Sequence, residues 1–131
     1  MADFPYRSAL IVGAGPGISA SLARRLAGHG VKVALAARNV QKLHSLVQDI
    51  GAEAFAVDAS DPESVAKLFV QVGDRMTEPD IVVYNAAARV QGPLAALDPG
   101  AVQRALAITA FGGFLVTQRM LAMYKKKERG K

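Results

Sequence analysis

The sequence predicts an α/β domain built on a doubly wound parallel sheet. Apolar, strand-like runs alternate with helix-like runs four times along the 131 residues, in the pattern βαβαβαβα. The first apolar run breaks into a glycine-rich loop that opens a helix. No internal repeat, low-complexity segment or linker divides the chain, and its length suits one buried core. We therefore expect a single domain over residues 1–131, with helices on both faces of the sheet.

The first strand and the first helix meet at the glycine-rich loop. Leu10, Ile11 and Val12 predict a buried strand. The helix that follows, over about residues 17–27, carries apolar side chains one turn apart. It ends at a Gly-His-Gly stop over residues 28–30, in which the histidine is expected to be an exposed turn residue.

The next two strand–helix pairs have recognisable helix starts. Residues 31–37 and 53–57 predict the second and third strands. Asn39 can cap the helix between them, while Asp61-Pro62 supplies an N-cap and a first-turn proline for the helix after the third strand. Both helices carry apolar stripes at helical spacing, formed by Leu43, Leu46, Val47 and Ile50 in one and by Val65, Leu68, Phe69, Val72 and Met76 in the other.

The fourth strand and the last helix complete the pattern. Residues 81–84 are so apolar that we expect this strand in the sheet interior. After a loop over 85–97, Asp98-Pro99 opens one long helix that passes through Gly112-Gly113. Adjacent glycines cost roughly 1 kcal/mol each inside a helix, so we expect them to allow close packing against another helix. Right-handed crossovers place the strands in the order 3-2-1-4, with a ligand crevice above strands 1 and 4.

Composition and charge exclude several classes of site. The chain has no cysteine, which excludes disulfides and thiol chemistry, and two histidines argue against a metal site. The net charge of +5 comes from residues 119–131, a basic helix end, because the charges of the first 118 residues balance. Such a run is typical of a solvated helix terminus, so we expect no nucleic-acid partner.

The same features predict a cytoplasmic protein without a membrane partner. Residues 1–6 lack the basic-then-apolar order of a secretory signal. The longest uncharged late stretch, residues 105–118, is too short to cross a bilayer on this reading.

The loop over residues 13–17 has the form of a phosphate cradle. Gly13, Gly15 and Gly17 let the backbone turn sharply and approach a ligand where a Cβ would collide, and Pro16 and Ile18 are included with them as cofactor-binding residues. N–H groups and the positive dipole end at the start of the helix favour a pyrophosphate. The loop alone leaves the cofactor open, because S-adenosylmethionine-dependent methyltransferases use a similar run at the same junction.

The end of the second strand indicates which cofactor is bound. NAD-binding proteins and methyltransferases both require an acidic residue there, which accepts hydrogen bonds from ribose hydroxyls. This chain has Ala36, Ala37 and then Arg38. A guanidinium can hold a 2′-phosphate through paired, charge-assisted hydrogen bonds. We therefore predict NADP rather than NAD.

Four motifs, in order over about residues 7–120, resemble the short-chain dehydrogenase/reductase family. The family's Gly-x-x-x-Gly-x-Gly loop is matched by Gly13 and Gly17, with Ser19 where a third glycine is usual. The other three matches are Asp58-Ala59 after the third strand, Tyr84-Asn85-Ala86-Ala87-Ala88 for Asn-Asn-Ala-Gly after the fourth, and Ile108-Thr109-Ala110-Phe111-Gly112-Gly113-Phe114 for Val-Asn-x-x-Gly-x-Phe in the last helix. The resemblance implies a Rossmann-like fold.

The resemblance also implies roles for individual residues. It assigns Asp58 to the adenine amino group, with Ala59 beside it. It places Asn85, Ala86 and Ala87 along the cofactor. Thr109 occupies the position of a helix asparagine that organises a proton-relay water in the family.

The family's chemistry is only partly represented in these residues. Its members transfer a hydride between the nicotinamide and a carbonyl or alcohol, using a serine, a tyrosine and a lysine that follow a fifth strand. The sequence ends at Lys131, before such a segment, so we expect neither the family's later strands nor a catalytic residue. Tyr124 does not replace the tyrosine, because the fourth residue after it is Glu128 and it follows the fourth strand too closely.

Three hypotheses follow from these observations. The first is the NADP(H)-binding portion of an oxidoreductase, cut short before its catalytic segment and acting on a small carbonyl or alcohol only in a full-length form. The second is a non-catalytic NADP-binding or interaction module that forms a homo-oligomer through the last helix or the uncovered edge of strand 4. The third is a methyltransferase-like fragment.

Overall fold

The sheet is parallel and four-stranded, with the order β3-β2-β1-β4 that the sequence predicts. The structure is a computed structural model that describes residues 4–129, with side chains described as far as residue 126. The two ends of the predicted domain, residues 1–3 and residues 130–131 of the basic run, lie outside the described residues. The strands are β1 (Ser8–Val12), β2 (Lys32–Ala37), β3 (Glu53–Ala56) and β4 (Ile81–Tyr84).

Within residues 4–129, five α-helices connect or follow the strands. They are α1 (Ile18–Gly28), α2 (His44–Ile50), α3 (Pro62–Arg75), α4 (Pro99–Leu106) and α5 (Gly112–Arg129). The predicted caps form, because the carboxylates of Asp61 and Asp98 accept hydrogen bonds from the N–H groups of Glu63 (3.1 Å) and Ala101 (2.9 Å). Asn39 caps a short 3₁₀ turn, Val40–Leu43, that precedes α2.

Two apolar cores lie on opposite faces of the sheet. Strand residues alternate between the faces, so Ala9 and Ile11 of β1 pack with α1 and α2, whereas Leu10 and Val12 pack with α3 and α5. Every residue of β1 is buried. This confirms the expected doubly wound arrangement, in which the central strand is covered on both sides.

β4 lies at an edge of the described sheet, as the predicted strand order requires, although its apolar composition alone had indicated the sheet interior. Among the described residues it pairs with β1 alone, from Ala9 opposite Ile81 to Val12 opposite Tyr84. All of its residues are only half-buried. The apolar composition of a strand reflects the burial of its two faces. It does not show whether both of its edges are hydrogen-bonded to other strands.

The last helical segment is interrupted, although the sequence predicted one continuous helix. A π-helical segment, Ala107–Phe111, joins α4 to α5. The Tyr84 hydroxyl donates a hydrogen bond to the Ile108 carbonyl oxygen inside this segment. π-Helical turns within α-helical segments are frequent at functional sites.

The glycine pair serves a different contact from the one predicted. A Cβ at Gly112 would lie 2.7 Å from the Ala59 carbonyl oxygen and closer still to the Tyr84 hydroxyl. At Gly113 a Cβ would make ordinary contact with the Tyr84 ring at 3.5 Å. The prediction that these glycines pack against another helix is therefore wrong. Gly112 lets α5 approach the end of β4 and the residues that follow β3.

The helical segment from Pro99 to Lys126, π-helical turn included, is also long and apolar enough to cross a membrane by length and composition alone. It spans 28 residues, with a mean hydropathy of 1.4 over its most apolar window, of which 17% is buried. The prediction that this region is too short to cross a bilayer considered only the uncharged residues 105–118. It is wrong by these criteria, because the helical segment is longer than that stretch. Core helices of soluble proteins meet the same criteria.

Candidate functional site

A cavity of about 430 Å³ lies at the carboxyl end of the sheet, beside the point where the strand order reverses around β1. Its walls come from the loop after β1, the end of β2, the residues after β3, the loop after β4 and the π-helical segment. They are Val12, Gly13, Ala14, Gly15, Pro16, Ala37, Arg38, Asn39, Lys42, Val57, Ala59, Asn85, Ala86, Ala87, Ala88 and Ile108.

Gly13 is required by the protein's own packing. Its φ is +90°, and an added Cβ would lie 2.5 Å from Ala86 Cα and 2.6 Å from the Asn85 carbonyl carbon. The N–H groups of Gly13 and Ala14 both donate to the Ala36 carbonyl oxygen, at 2.9 and 3.1 Å. The first turn of the loop is thus fixed between β2 and the residues that follow β4.

Gly15 and Gly17 differ from Gly13. A Cβ at either position would meet nothing within 4 Å in the described structure. Gly17 precedes α1, and among the described residues no side chain caps the first turn of that helix. The start of α1 therefore leaves backbone donors and a positive dipole end beside the open side of the glycine loop.

Ser19 connects the two loops beneath the cavity, an arrangement that the sequence analysis missed. The side chain is 3% exposed. Its hydroxyl donates to the Gly13 carbonyl oxygen at 3.2 Å and accepts a hydrogen bond from Asn85 Nδ2 at 2.9 Å. Ser19, which replaces the third glycine of the motif, is therefore buried, and its hydroxyl both donates and accepts a hydrogen bond.

The end of β2 contributes two cations to the cavity. Arg38 lies in its wall as predicted, and Lys42 lies beside it, although sequence reasoning did not single Lys42 out. Lys42 lies in the 3₁₀ turn Val40–Leu43 that follows β2. Arg38 also borders an adjoining cleft of about 360 Å³, which contains Asp58 and Lys67.

Asp58 is held in its ionised form. Its Oδ1 accepts hydrogen bonds from the Ser60 hydroxyl (2.6 Å) and the Ser60 N–H (3.0 Å). These bonds, with a smaller contribution from the charge of Arg38, lower the pKa of the Asp58 carboxyl below its usual value. The carboxylate is exposed and lies in the adjoining cleft, whereas Ala59 lines the main cavity.

Two hydroxyl-bearing residues from the sequence analysis have structural contacts. Thr109 Oγ1 accepts a hydrogen bond from the Ala88 N–H (3.1 Å) and donates to the Ala88 carbonyl oxygen (3.3 Å), which fixes the loop after β4 to the π-helical segment. The Tyr124 hydroxyl shares its single proton between the carbonyl oxygens of Pro79 (3.2 Å) and Asp80 (2.9 Å), just before β4 begins. Tyr124 therefore lies at the sheet end opposite the cavity.

The match to known proteins decides the family. A family model described as short chain dehydrogenase matches residues 7–131. The chain is a short-chain dehydrogenase family member. Among the relatives of this short-chain dehydrogenase chain is an uncharacterized oxidoreductase of Caenorhabditis elegans, 31% identical over 129 residues that cover 93% of this chain and 41% of the relative. A probable 2,4-dienoyl-CoA reductase of the same organism is 32% identical over 119 residues, covering 86% of this chain and 38% of the relative.

Solved structures share the same architecture. An actinorhodin polyketide ketoreductase variant, solved with NADPH, superposes with a TM-score of 0.85 at 27% identity and covers 95% of this chain and 50% of that one. The short-chain dehydrogenase chain thus spans half or less of the length of these relatives.

Most of the predicted site residues of this short-chain dehydrogenase chain lie together. Those around the main cavity are Gly13, Gly15, Pro16, Arg38, Ala59, Asn85, Ala86 and Ala87. Gly17 and Ile18 begin α1 outside the cavity lining, and Ile18 is 78% exposed.

Proposed function

We propose that the chain binds NADP(H) and forms the dinucleotide-binding portion of an oxidoreductase that acts on a carbonyl or alcohol. The observation that carries the proposal is one cavity that is lined both by an open glycine loop and by the cations Arg38 and Lys42. A dinucleotide phosphate presents a diphosphate and a 2′-phosphate, the two anionic groups that such a lining suits. When bound, the nicotinamide accepts or donates a hydride.

The glycine loop suits the diphosphate. The open side of Gly15 lets the backbone lie against phosphate oxygens without a Cβ between them. The start of α1 supplies N–H donors and a positive dipole end, so a basic side chain is not needed there. Gly13 keeps this loop in place, since its φ and its contact with Ala86 fix the turn.

The end of β2 suits a 2′-phosphate. Arg38 can donate two parallel hydrogen bonds to phosphate oxygens, and Lys42 adds a second positive charge on the same wall. Arg38 also replaces the carboxylate that would repel a phosphate. Asp58, ionised in the adjoining cleft, suits the adenine amino group, because that group donates hydrogen bonds to an acceptor.

Calorimetric titration of the chain with NADPH, NADH and S-adenosylmethionine tests the proposal. We expect binding of NADPH, with weaker binding of NADH, because only the former offers a 2′-phosphate to Arg38 and Lys42. Binding of S-adenosylmethionine without NADPH binding would favour the methyltransferase-like alternative. Absence of binding by all three would contradict a nucleotide role for this cavity.

Self-association through the last helical segment is a second proposal, and a patch of exposed apolar side chains favours it. Phe111 and Phe114 stack with ring centroids 6.0 Å apart, and they are 44% and 56% exposed. Leu106 and Leu121 on the same segment are 61% and 50% exposed. Exposed apolar side chains grouped on one segment are typical of interaction surfaces.

A charged substitution in this patch should separate the protomers. We expect Phe114→Glu to shift the chain from dimer to monomer in light scattering, because a desolvated carboxylate opposes burial of the patch. Val70→Glu, at a 63% exposed apolar position on α3, is the matched control and should leave the mass unchanged. A parent chain that is monomeric at all concentrations would contradict the proposal.

A further inference from the structure

Ser19 is placed to control the spacing of the two loops that flank the cavity. One wall is the glycine loop, Gly13 to Pro16, and the other is the loop after β4, Asn85 to Ala88. At Gly13 the two walls touch through the backbone, with no room for a side chain. Ser19 adds a second connection through hydrogen bonds to one residue of each wall.

The directions of these hydrogen bonds follow from the chemistry of the groups. A carbonyl oxygen can only accept, so the single hydroxyl proton of Ser19 goes to Gly13. The lone pairs of the hydroxyl oxygen then accept a proton from the Asn85 carboxamide. Asn85 is itself fixed at its N–H, which donates to the Val12 carbonyl oxygen at 2.8 Å. The three residues therefore form one connected set, and a glycine at position 19 would remove its centre.

We propose that Ser19 is a positioning residue of the dinucleotide site, acting through Gly13 and Asn85 to hold the two walls at the separation that a diphosphate and the adjoining nicotinamide half require. This inference rests on the proposed NADP(H)-binding function. Arg38 and Lys42 line the same cavity and are not partners in these hydrogen bonds. The effect of Ser19 should therefore be confined to one half of the ligand.

Two ligands separate the halves of the site. NADPH can contact the glycine loop as well as Arg38, Lys42 and Asp58, whereas adenosine 2′-phosphate lacks the diphosphate and can contact only those three residues. Removing the hydroxyl in Ser19→Ala should raise the dissociation constant for NADPH roughly tenfold, the effect of losing one or two net hydrogen bonds. Affinity for adenosine 2′-phosphate should change by less than about twofold. Ser21→Ala, at an exposed serine on the same helix, is the matched control and should change neither affinity.

A double-mutant cycle tests whether Ser19 acts through Asn85. Asn85→Ala removes the same connection from the opposite wall. Urea denaturation of each variant shows whether it folds, and Asn85→Ala can be measured even if Ser19→Ala does not fold. In the Asn85→Ala background, Ser19→Ala should weaken NADPH binding by less than about threefold, because the connection is already broken.

Each contrary result has its own meaning. Equal weakening of both ligands, unchanged NADPH affinity in Ser19→Ala, or additive losses in the cycle would overturn the positioning role while leaving the proposed function intact. A parent chain that does not bind NADPH would overturn the proposed function and the positioning role together.

Discussion

Replacing Gly13 by alanine is expected to lower the free energy of unfolding by about 3 kcal/mol or more, since the new side chain has neither an accessible backbone conformation nor space. The φ of +90° is in the left-handed region, and the Cβ would lie 2.5 Å from Ala86 Cα, a backbone atom that cannot rotate away. Domains of this size have total stabilities of about 5–15 kcal/mol, so the loss should be readily visible in urea denaturation.

Gly15→Ala is the matched control for this variant. Its Cβ meets nothing within 4 Å in the described structure, so stability should change by no more than about 0.5 kcal/mol. NADPH affinity should nevertheless fall in Gly15→Ala, because the methyl group occupies the open side of the loop. A Gly13→Ala chain as stable as the parent would show that the loop after β4 does not pack on β1 as described.

Arg38→Asp is expected to reverse the cofactor preference. The substitution removes the charge-assisted hydrogen bonds to a 2′-phosphate and adds a like charge, so NADPH affinity should fall roughly 10- to 100-fold. NADH affinity should rise, because a carboxylate at this position accepts hydrogen bonds from the ribose hydroxyls. Parallel calorimetric titrations with the two cofactors measure both changes.

Lys32→Asp controls for net charge in this comparison. Lys32 is exposed at the amino end of β2, whereas Arg38 follows its carboxyl end, so the same charge change falls far from the cavity. Lys32→Asp should therefore leave both affinities close to those of the parent. Lys42→Ala should weaken NADPH binding and spare NADH binding. Unchanged NADPH affinity in Arg38→Asp would dismiss the role assigned to this residue.

The parts of the fold that depend on nearby residues could be predicted from the sequence. Asp61 and Asp98 cap their helices through hydrogen bonds to residues two or three positions away. The turn at Gly13 likewise needs glycine because of the local backbone conformation. The strand order follows from the right-handed crossover rule applied to four strand–helix units, together with the placement of β4 beside β1.

The parts that depend on distant contacts could not be predicted in the same way. Gly112 faces Tyr84 and Ala59, which lie far from it in sequence, so its pattern as a helical glycine pointed to the wrong neighbour. In the sequence, Ser19 is only a departure from the third glycine of the motif. Its hydrogen bond to Asn85 joins residues 66 positions apart. The edge position of β4 has no signal in its composition.

The π-helical segment changes the angular phase of the last helix. An i→i+5 turn takes up one residue more than an α-turn, and each residue of an α-helix represents a rotation of about 100°. α4 and α5 are therefore offset about their common axis. Gly112, Leu115 and Val116 face the sheet, while Leu106, Phe111 and Phe114 remain outside the core of the described residues. Deleting one residue between 107 and 111 would rotate α4 by about 100° relative to α5, so Leu106 would leave its present side if Leu115 and Val116 stayed against the sheet.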